Sequence, residues 1–337
     1  RDRQEPASAE VTEVAPDILR VQLPISIPGL GHVNTYVFVD DRGVALMDPG
    51  LPGADTFDTL TARLASVGLS PADVHTVYVT HSHIDHFGLA PRLAKESRHP
   101  LELITHEAFA AHWRRRDGED LILADVDIDD IDEGHGFDKE TPWGRQWGPP
   151  PGAEDIQFER PYPTRYVRDN DVLRLAGREM FIVHSPGHTL DHICLSDPSE
   201  GVLFSGDHVL PSITPFISGL GAGRDPLELF EESLAKVGGM DGVRVVLPAH
   251  GHPFSDLRGR TDAIRAHHVE RLLTLRDVSQ DLGPMTVEEF SHHLFRKDHW
   301  GPMAEMEAFA HLEHLRLAGL AERRGTGADM VYELAPR

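Results

Sequence analysis

One cysteine in 337 residues leaves no partner for an internal disulfide, so the fold must rest on an ordinary core rather than on covalent staples. Cys194 lies in the alternating run His192-Ile193-Cys194-Leu195 and reads as a core residue, which fits a reducing, cytoplasmic setting. No apolar run approaches the roughly 20 residues that a membrane-spanning helix needs, and the polar start Arg1–Glu10 lacks the pattern of a signal peptide. Cations are also scarce. Only 32 Lys and Arg stand against 55 Asp and Glu, a formal charge of −23. Two divalent ions would offset about four of those charges and the remainder would still repel phosphate backbones, so neither nucleic acid nor a membrane is the expected partner. A small-molecule substrate is expected, and homo-oligomerisation is compatible with the composition. A hydrophobic content of 40% is ordinary for a globular protein, and the length allows one large domain plus a small one.

Histidine, by contrast, is abundant and clustered. The stretch Thr80-His81-Ser82-His83-Ile84-Asp85-His86-Phe87-Gly88 follows the run Val74-His75-Thr76-Val77-Tyr78-Val79, which alternates like a half-buried strand. Imidazole nitrogens from His81, His83 and His86 with the Asp85 carboxylate suit zinc, iron or manganese better than calcium. An irregular or strand-like backbone lets His81 and His83 converge on one ion while Asp85 and His86 reach a neighbouring one. Three more apolar runs end on potential ligands: His188 in Ser185-Pro186-Gly187-His188, Asp207 in Ser205-Gly206-Asp207-His208, and His250 in Pro248-Ala249-His250-Gly251-His252. Buried strands are rigid anchors, and ligands on their turns make a preorganised metal site.

Residues 1–16 read as a flexible leader. Strands are expected at 18–23, 34–39 and 44–48, then a helix over 54–67 that ends at Gly68, the ligand strand and a short helix over 88–97. A strand at 101–105 and a helix over 107–116 follow, an alternation that indicates an α/β fold. Residues 117–163 break the pattern with an acidic run, Trp143, Trp147 and Pro149-Pro150-Pro151-Gly152, and so long an excursion is expected to be a lid or pocket wall whose tryptophans contact substrate. Strands return at 164–167, 172–175, 179–184, 191–196 and 202–205, with a helix over 226–237 before the strand leading to His250. Beyond His252 the spacing turns helical: 261–280 capped by Thr261, a capping box at Thr286-Val287-Glu288-Glu289, a helix over 303–320, and a closing strand at 330–334.

The motifs Thr80-His81-Ser82-His83-Ile84-Asp85-His86, Pro186-Gly187-His188-Thr189, Ser205-Gly206-Asp207 and Pro248-Ala249-His250-Gly251 make residues 10–255 resemble the metallo-β-lactamase fold superfamily of hydrolases. One departure is Leu89 after Gly88, where many relatives carry a second glycine. The resemblance implies a four-layer αββα sandwich over 17–258, and a small winged-helix-like domain over 259–337 of the kind found in the glyoxalase II-like branch with the lactamase-like protein 2 hydrolases. It implies that His81, His83 and His188 hold one ion, that Asp85, His86 and His250 hold the other, and that Asp207 bridges them. The Pro-Gly-His and Pro-Ala-His contexts favour His188 and His250 over their neighbours His184 and His252.

The expected cofactors are two zinc ions, with iron or manganese as substitutes. The expected activity is hydrolysis by a metal-bridging hydroxide of a small or acyl-bearing thioester, ester, lactone or amide, β-lactams included, with Asp85 orienting the water and Asp207 as the other catalytic carboxylate. An iron-dependent sulfur dioxygenase and a metal-dependent ribonuclease are the alternatives. His32, in the loop after Gly29-Leu30-Gly31, is a candidate substrate contact or a solvent-exposed hairpin histidine, and Asp191 and His208 are candidates for orienting the ligand imidazoles.

Overall fold

The computed structural model describes residues 4–25, 29–109, 162–218 and 224–336. Trp143 and Trp147, most of the expected lid and most of the helix over 107–116 lie outside the described residues. Two sheets carry the larger part of the chain. The first orders seven strands as β1 (Thr12–Ala15), β2 (Ile18–Pro24), β3 (His32–Asp40), β4 (Gly43–Met47), β5 (Val74–Tyr78), β6 (Glu102–His106) and β7 (Arg165–Val167). It is antiparallel from β1 to β4 and parallel from β4 to β7. The second, in spatial order, runs β12 (Val245–Pro248), β11 (Val202–Gly206), β10 (Ile193–Asp197), β9 (Arg178–His184) and β8 (Val172–Leu175).

Alternation along these strands sorts side chains into layers. In β3, Tyr36 and Phe38 point between the sheets, where they meet Phe204 of β11 at ring-centroid distances of 5.0 and 5.2 Å. Val33 and Val37 point the other way, to helices α1 (Ala54–Ala65), α2 (Ile84–Phe87) and α3 (Ala90–Glu96). Cys194 and Leu203 face outward from the second sheet to α4 (Pro226–Gly238) and α5 (Leu257–Leu282). The layers are therefore helix, sheet, sheet, helix, as the resemblance implied. Because helices cover one face and a sheet the other, every residue of β5 is buried rather than alternate ones.

The start of the chain departs from expectation. Residues 12–15, placed in a flexible leader, form β1 against β2, and Ser8 donates its backbone N–H to the Gln22 side chain. The pairing satisfies edge groups of β2 that would otherwise be bare.

The C-terminal region holds α5, α6 (Val287–Leu294) and α7 (Pro302–Leu317), with a small antiparallel sheet in the order β13 (Met285–Thr286), β15 (Val331–Leu334), β14 (Ala321–Arg324). The capping box forms as read: Thr286 Oγ1 accepts from Glu289 N, and the Glu289 carboxylate accepts from Thr286 N. Thr261 is not a cap. Asp256 caps α5 by accepting from Gly259 N, and Thr261 sits a turn inside with its hydroxyl on the Arg258 carbonyl. The two regions also share a core. Ile264 of α5 and Ala310 of α7 pack with Phe230 and Leu234 of α4 and Leu203 of β11. None of the described helices is long and apolar enough to cross a membrane.

Candidate metal centre

The seven sequence candidates converge from four strand ends. His81, His83, Asp85 and His86 follow β5 and run into α2, His188 lies between β9 and β10, Asp207 follows β11, and His250 follows β12. One ligand atom each from His81, His83, His188 and Asp207 lies within 4.8 Å of the others, and the same holds for Asp85, His86 and His250. The groups meet at Asp207, whose carboxylate oxygens lie 3.6 Å from His188 Nε2, 3.3 Å from His250 Nε2 and 3.8 Å from His86 Nε2. Asp85 Oδ2 stands 3.5 Å from His250 Nε2 and 3.6 Å from His86 Nε2.

Hydrogen bonds at the far side of each ring fix which nitrogen faces inward. His188 Nδ1 donates to the Phe216 carbonyl at 2.7 Å and His250 Nδ1 to the His32 carbonyl at 2.8 Å, leaving each Nε2 with its lone pair toward the centre. His86 Nδ1 donates to Asp48 Oδ2 at 2.9 Å, the same oxygen that accepts from the Thr80 hydroxyl. With its proton on Asp48, Thr80 Oγ1 can only accept from His81 Nδ1, 3.0 Å away. Asp48 thus sets two imidazoles, and its Oδ1 also accepts from Thr80 N. Such outer contacts fix ring orientation and raise ligand basicity.

The inner atoms fit a cation. His83 Nδ1 lies 2.9 Å from His81 Nε2 and 3.0 Å from His188 Nε2, yet it can donate at most one proton between them. Nitrogens held 2.0–2.1 Å from one tetrahedral ion would stand about 3.3 Å apart, so the spacing is close to a shared ion's. On the other side, His86 Nε2, His250 Nε2 and Asp207 Oδ1 are buried with no hydrogen-bond partner among the described residues. Burial, with His86 and other rings nearby, holds the His81 pKa well below the ordinary imidazole value, and burial likewise lowers His188. At His86, burial is outweighed by Asp85, Asp48 and Asp207, which push its pKa up to about 10, and His250 is raised by Asp207 in the same way. One half therefore offers neutral rings, and the other demands positive charge.

A residue outside the sequence candidates joins the two halves. His192 is fully buried; its Nε2 accepts from the Asp207 backbone N–H at 3.0 Å while Nδ1 donates to Ser185 Oγ at 2.8 Å. Gly206 makes room for it: at φ +51°, a Cβ there would sit 2.6 Å from His192 Nε2. Gly187, at φ +133°, similarly lets the His188 loop touch the backbone of Phe230, which a Cβ would approach to 2.5 Å.

The remaining candidates lie around this centre. His32 is buried, not a solvent-exposed hairpin histidine; its Nδ1 bonds the Glu5 carbonyl and its own carbonyl holds His250, so it backs a ligand instead of facing substrate. Asp191 accepts from Ser82 Oγ at 3.0 Å, between His81 and His83 in the ligand loop. His208 hydrogen-bonds none of the seven candidates; its ring packs on Phe230, and burial pulls its pKa down to about 3. The neighbours His184 and His252 stay out of both groups, the first stacked on His106 and the second paired with Glu5.

The sequence profile of the metallo-beta-lactamase superfamily matches residues 28–250. The chain belongs to that superfamily. It is 26% identical over 300 residues to the "Probable metallo-hydrolase YqjP" of Bacillus subtilis (strain 168), covering 81% of this chain and 87% of that protein. A crystal structure of a metallo-beta-lactamase family protein from Thermus thermophilus superposes with a TM-score of 0.80 at 29% identity, covering 96% of this chain and all of the other. A stretch of 134 residues is 31% identical to an "Acyl-coenzyme A thioesterase MBLAC2" of Gallus gallus, covering 39% of this chain and 40% of that protein's length. As a superfamily member with buried His/Asp groups suited to divalent ions, the chain is a hydrolase-type metalloenzyme.

Proposed function

We propose that the protein is a dinuclear metal-dependent hydrolase of thioesters or related acyl esters. The observation that carries this is Asp207 standing between a three-imidazole group and an aspartate–two-imidazole group. His81, His83 and His188 would hold one ion, Asp85, His86 and His250 the other, and Asp207 would be shared by both. The nitrogen and oxygen donors suit zinc, with iron or manganese as substitutes. When bound, two such ions supply Lewis acidity and bring a water's pKa from ~15.7 toward ~7. Asp85, on the edge of the second group, would orient the attacking water and accept its hydrogen bond. Thr80 and Asp48 would keep His81 and His86 in the ligating tautomers throughout. Cys194 is no nucleophile: it is buried, and burial pushes its thiol up to about 12.

Thioesters are the preferred class because thioesterase-named relatives match parts of this chain and because a charge of −23 disfavours a polynucleotide. The test is a panel of acyl-coenzyme A thioesters, lactones and β-lactams with and without a chelator. Thioester cleavage abolished by chelation and restored by zinc is expected. No hydrolysis of any member, with oxygen consumption on a persulfide instead, would overturn the reading in favour of an iron oxygenase.

A further inference from the structure

The segment 209–217 connects the Asp207 turn to the carbonyl that orients His188, and it is fastened from the C-terminal region. Arg260 of α5 donates Nε to the Leu210 carbonyl and Nη2 to the Ile213 carbonyl, both at 2.6 Å. It makes no ion pair with a carboxylate among the described residues, so its fork is committed to this loop. Three residues on, the Phe216 side chain packs against the C-terminal core that contains Leu275, Phe290 and Phe309, while its carbonyl accepts from His188 Nδ1. Ile217 is fully buried with Phe230 and Leu257, closing the segment at its far end.

We propose that Arg260 and Phe216 are positioning residues of the metal centre, through which the C-terminal helices hold His188 in its ligating tautomer. The proposal rests on the metal-centre reading above. The physical reason is geometric. A carbonyl fixes a ring only as well as its own backbone is fixed, and residues 211–216 lie outside any helix or strand. The arginine fork restrains the loop at two points and the phenylalanine at a third, so the carbonyl cannot turn away without emptying a pocket in the C-terminal core. Losing one restraint should free the His188 ring to rotate or to shift its proton to Nε2, which abolishes its lone pair toward the ion. The other group has separate supports, His32 for His250 and Asp48 for His86, and should not respond.

Co2+ titration of the full-length apoprotein, followed by visible absorption, reads both groups. The variants are Arg260→Met and Phe216→Leu, with Arg265→Met on the same helix, which loses an exposed pair with Glu231, as the control. The parent chain should take up two Co2+; if it takes up none, the metal-centre reading fails before the proposal is reached. Given two, Arg260→Met and Phe216→Leu should each weaken one Co2+ event about 10–100-fold, the range for contacts behind ligands, and change its spectrum, while the other event and Arg265→Met stay within a factor of about three. Parental affinities and spectra in both variants would overturn the proposal, as would an equal loss at both sites. Arg260→Lys, which can satisfy one carbonyl, should fall between, and a lysine variant no better than methionine would also count against it.

Discussion

His81, His83 and His188 meet as three imidazoles with Asp207 beside them, whereas His86 and His250 stand against Asp85 and Asp207, with Asp48 behind His86. Burial acts on both halves alike, yet the first pair of titrations falls and the second rises. The difference teaches that charge balance, not burial, separates them. A neutral group accepts a cation as a fourth partner; an acidic group already contains the negative charge that a cation must neutralise, and without a metal it keeps protons instead.

The most severe way to break the comparison is to remove what the halves share. Asp207→Ala should lower turnover about 10³-fold, because several kcal/mol of charge stabilisation goes with the ions it helps to hold, and metal content should fall at both positions. Parental turnover in a metal-depleted Asp207→Ala chain would break it. A smaller effect is expected one layer out. His192→Phe deletes the acceptor for the Asp207 backbone N–H, and Asp48→Asn weakens the hold on His86; each should weaken metal binding about 10–100-fold, measured by competition with a chromophoric chelator. Both should act on the two halves together, Asp48→Asn through His86 directly and through Thr80 on His81, and His192→Phe through Asp207.

Proton linkage sharpens the contrast further. In metal-free protein, His81 and His188 are kept neutral by burial, so their stabilisation is complete above the ordinary value of 6.5 and is lost as pH falls below it. His86, raised to about 10, has the opposite sign: its contribution is complete below 6.5 and is lost as pH rises through 10. The melting-temperature deficit of His86→Gln relative to the parent apoprotein should therefore be largest near pH 6 and shrink toward pH 10. A deficit that is constant over that range would contradict the assignment. Least for the site, though not for the fold, is Leu60→Ala in α1, fully buried under the first sheet. It should cost about 2–5 kcal/mol in denaturant unfolding and leave metal affinity unchanged.

Much of this was legible in the sequence, and the parts that were not share a cause. Ligands at strand ends are local patterns, so His81, His83, Asp85 and His86 announce themselves in one loop, and each of His188, Asp207 and His250 closes an apolar run. The supports are contacts across the chain. Asp48 reaches Thr80 and His86 from more than thirty residues away, and the Phe216 carbonyl reaches His188 from 28; a backbone carbonyl has no sequence signature at all. Asp48 carried one local hint, a Pro-Gly turn after a strand, and its φ of +55° marks a backbone conformation that few residues other than glycine adopt. His192 was hidden at the start of a strand-like alternation, with no turn or ligand motif to mark it. β13 escaped because two residues offer no window for periodicity, β14 because Ala-Glu-Arg-Arg has no buried apolar face to mark it, and β1 because a polar edge strand looks like a tail until its partner is known.

Two ions held by the two halves are the central requirement of a dinuclear centre. The most direct measurement is elemental analysis of the full-length chain purified without added metal, paired with thioester turnover on the same preparation. Close to two divalent ions per chain, with turnover lost as they are stripped and regained as they return, is the predicted result. Full turnover with one ion or none would contradict it.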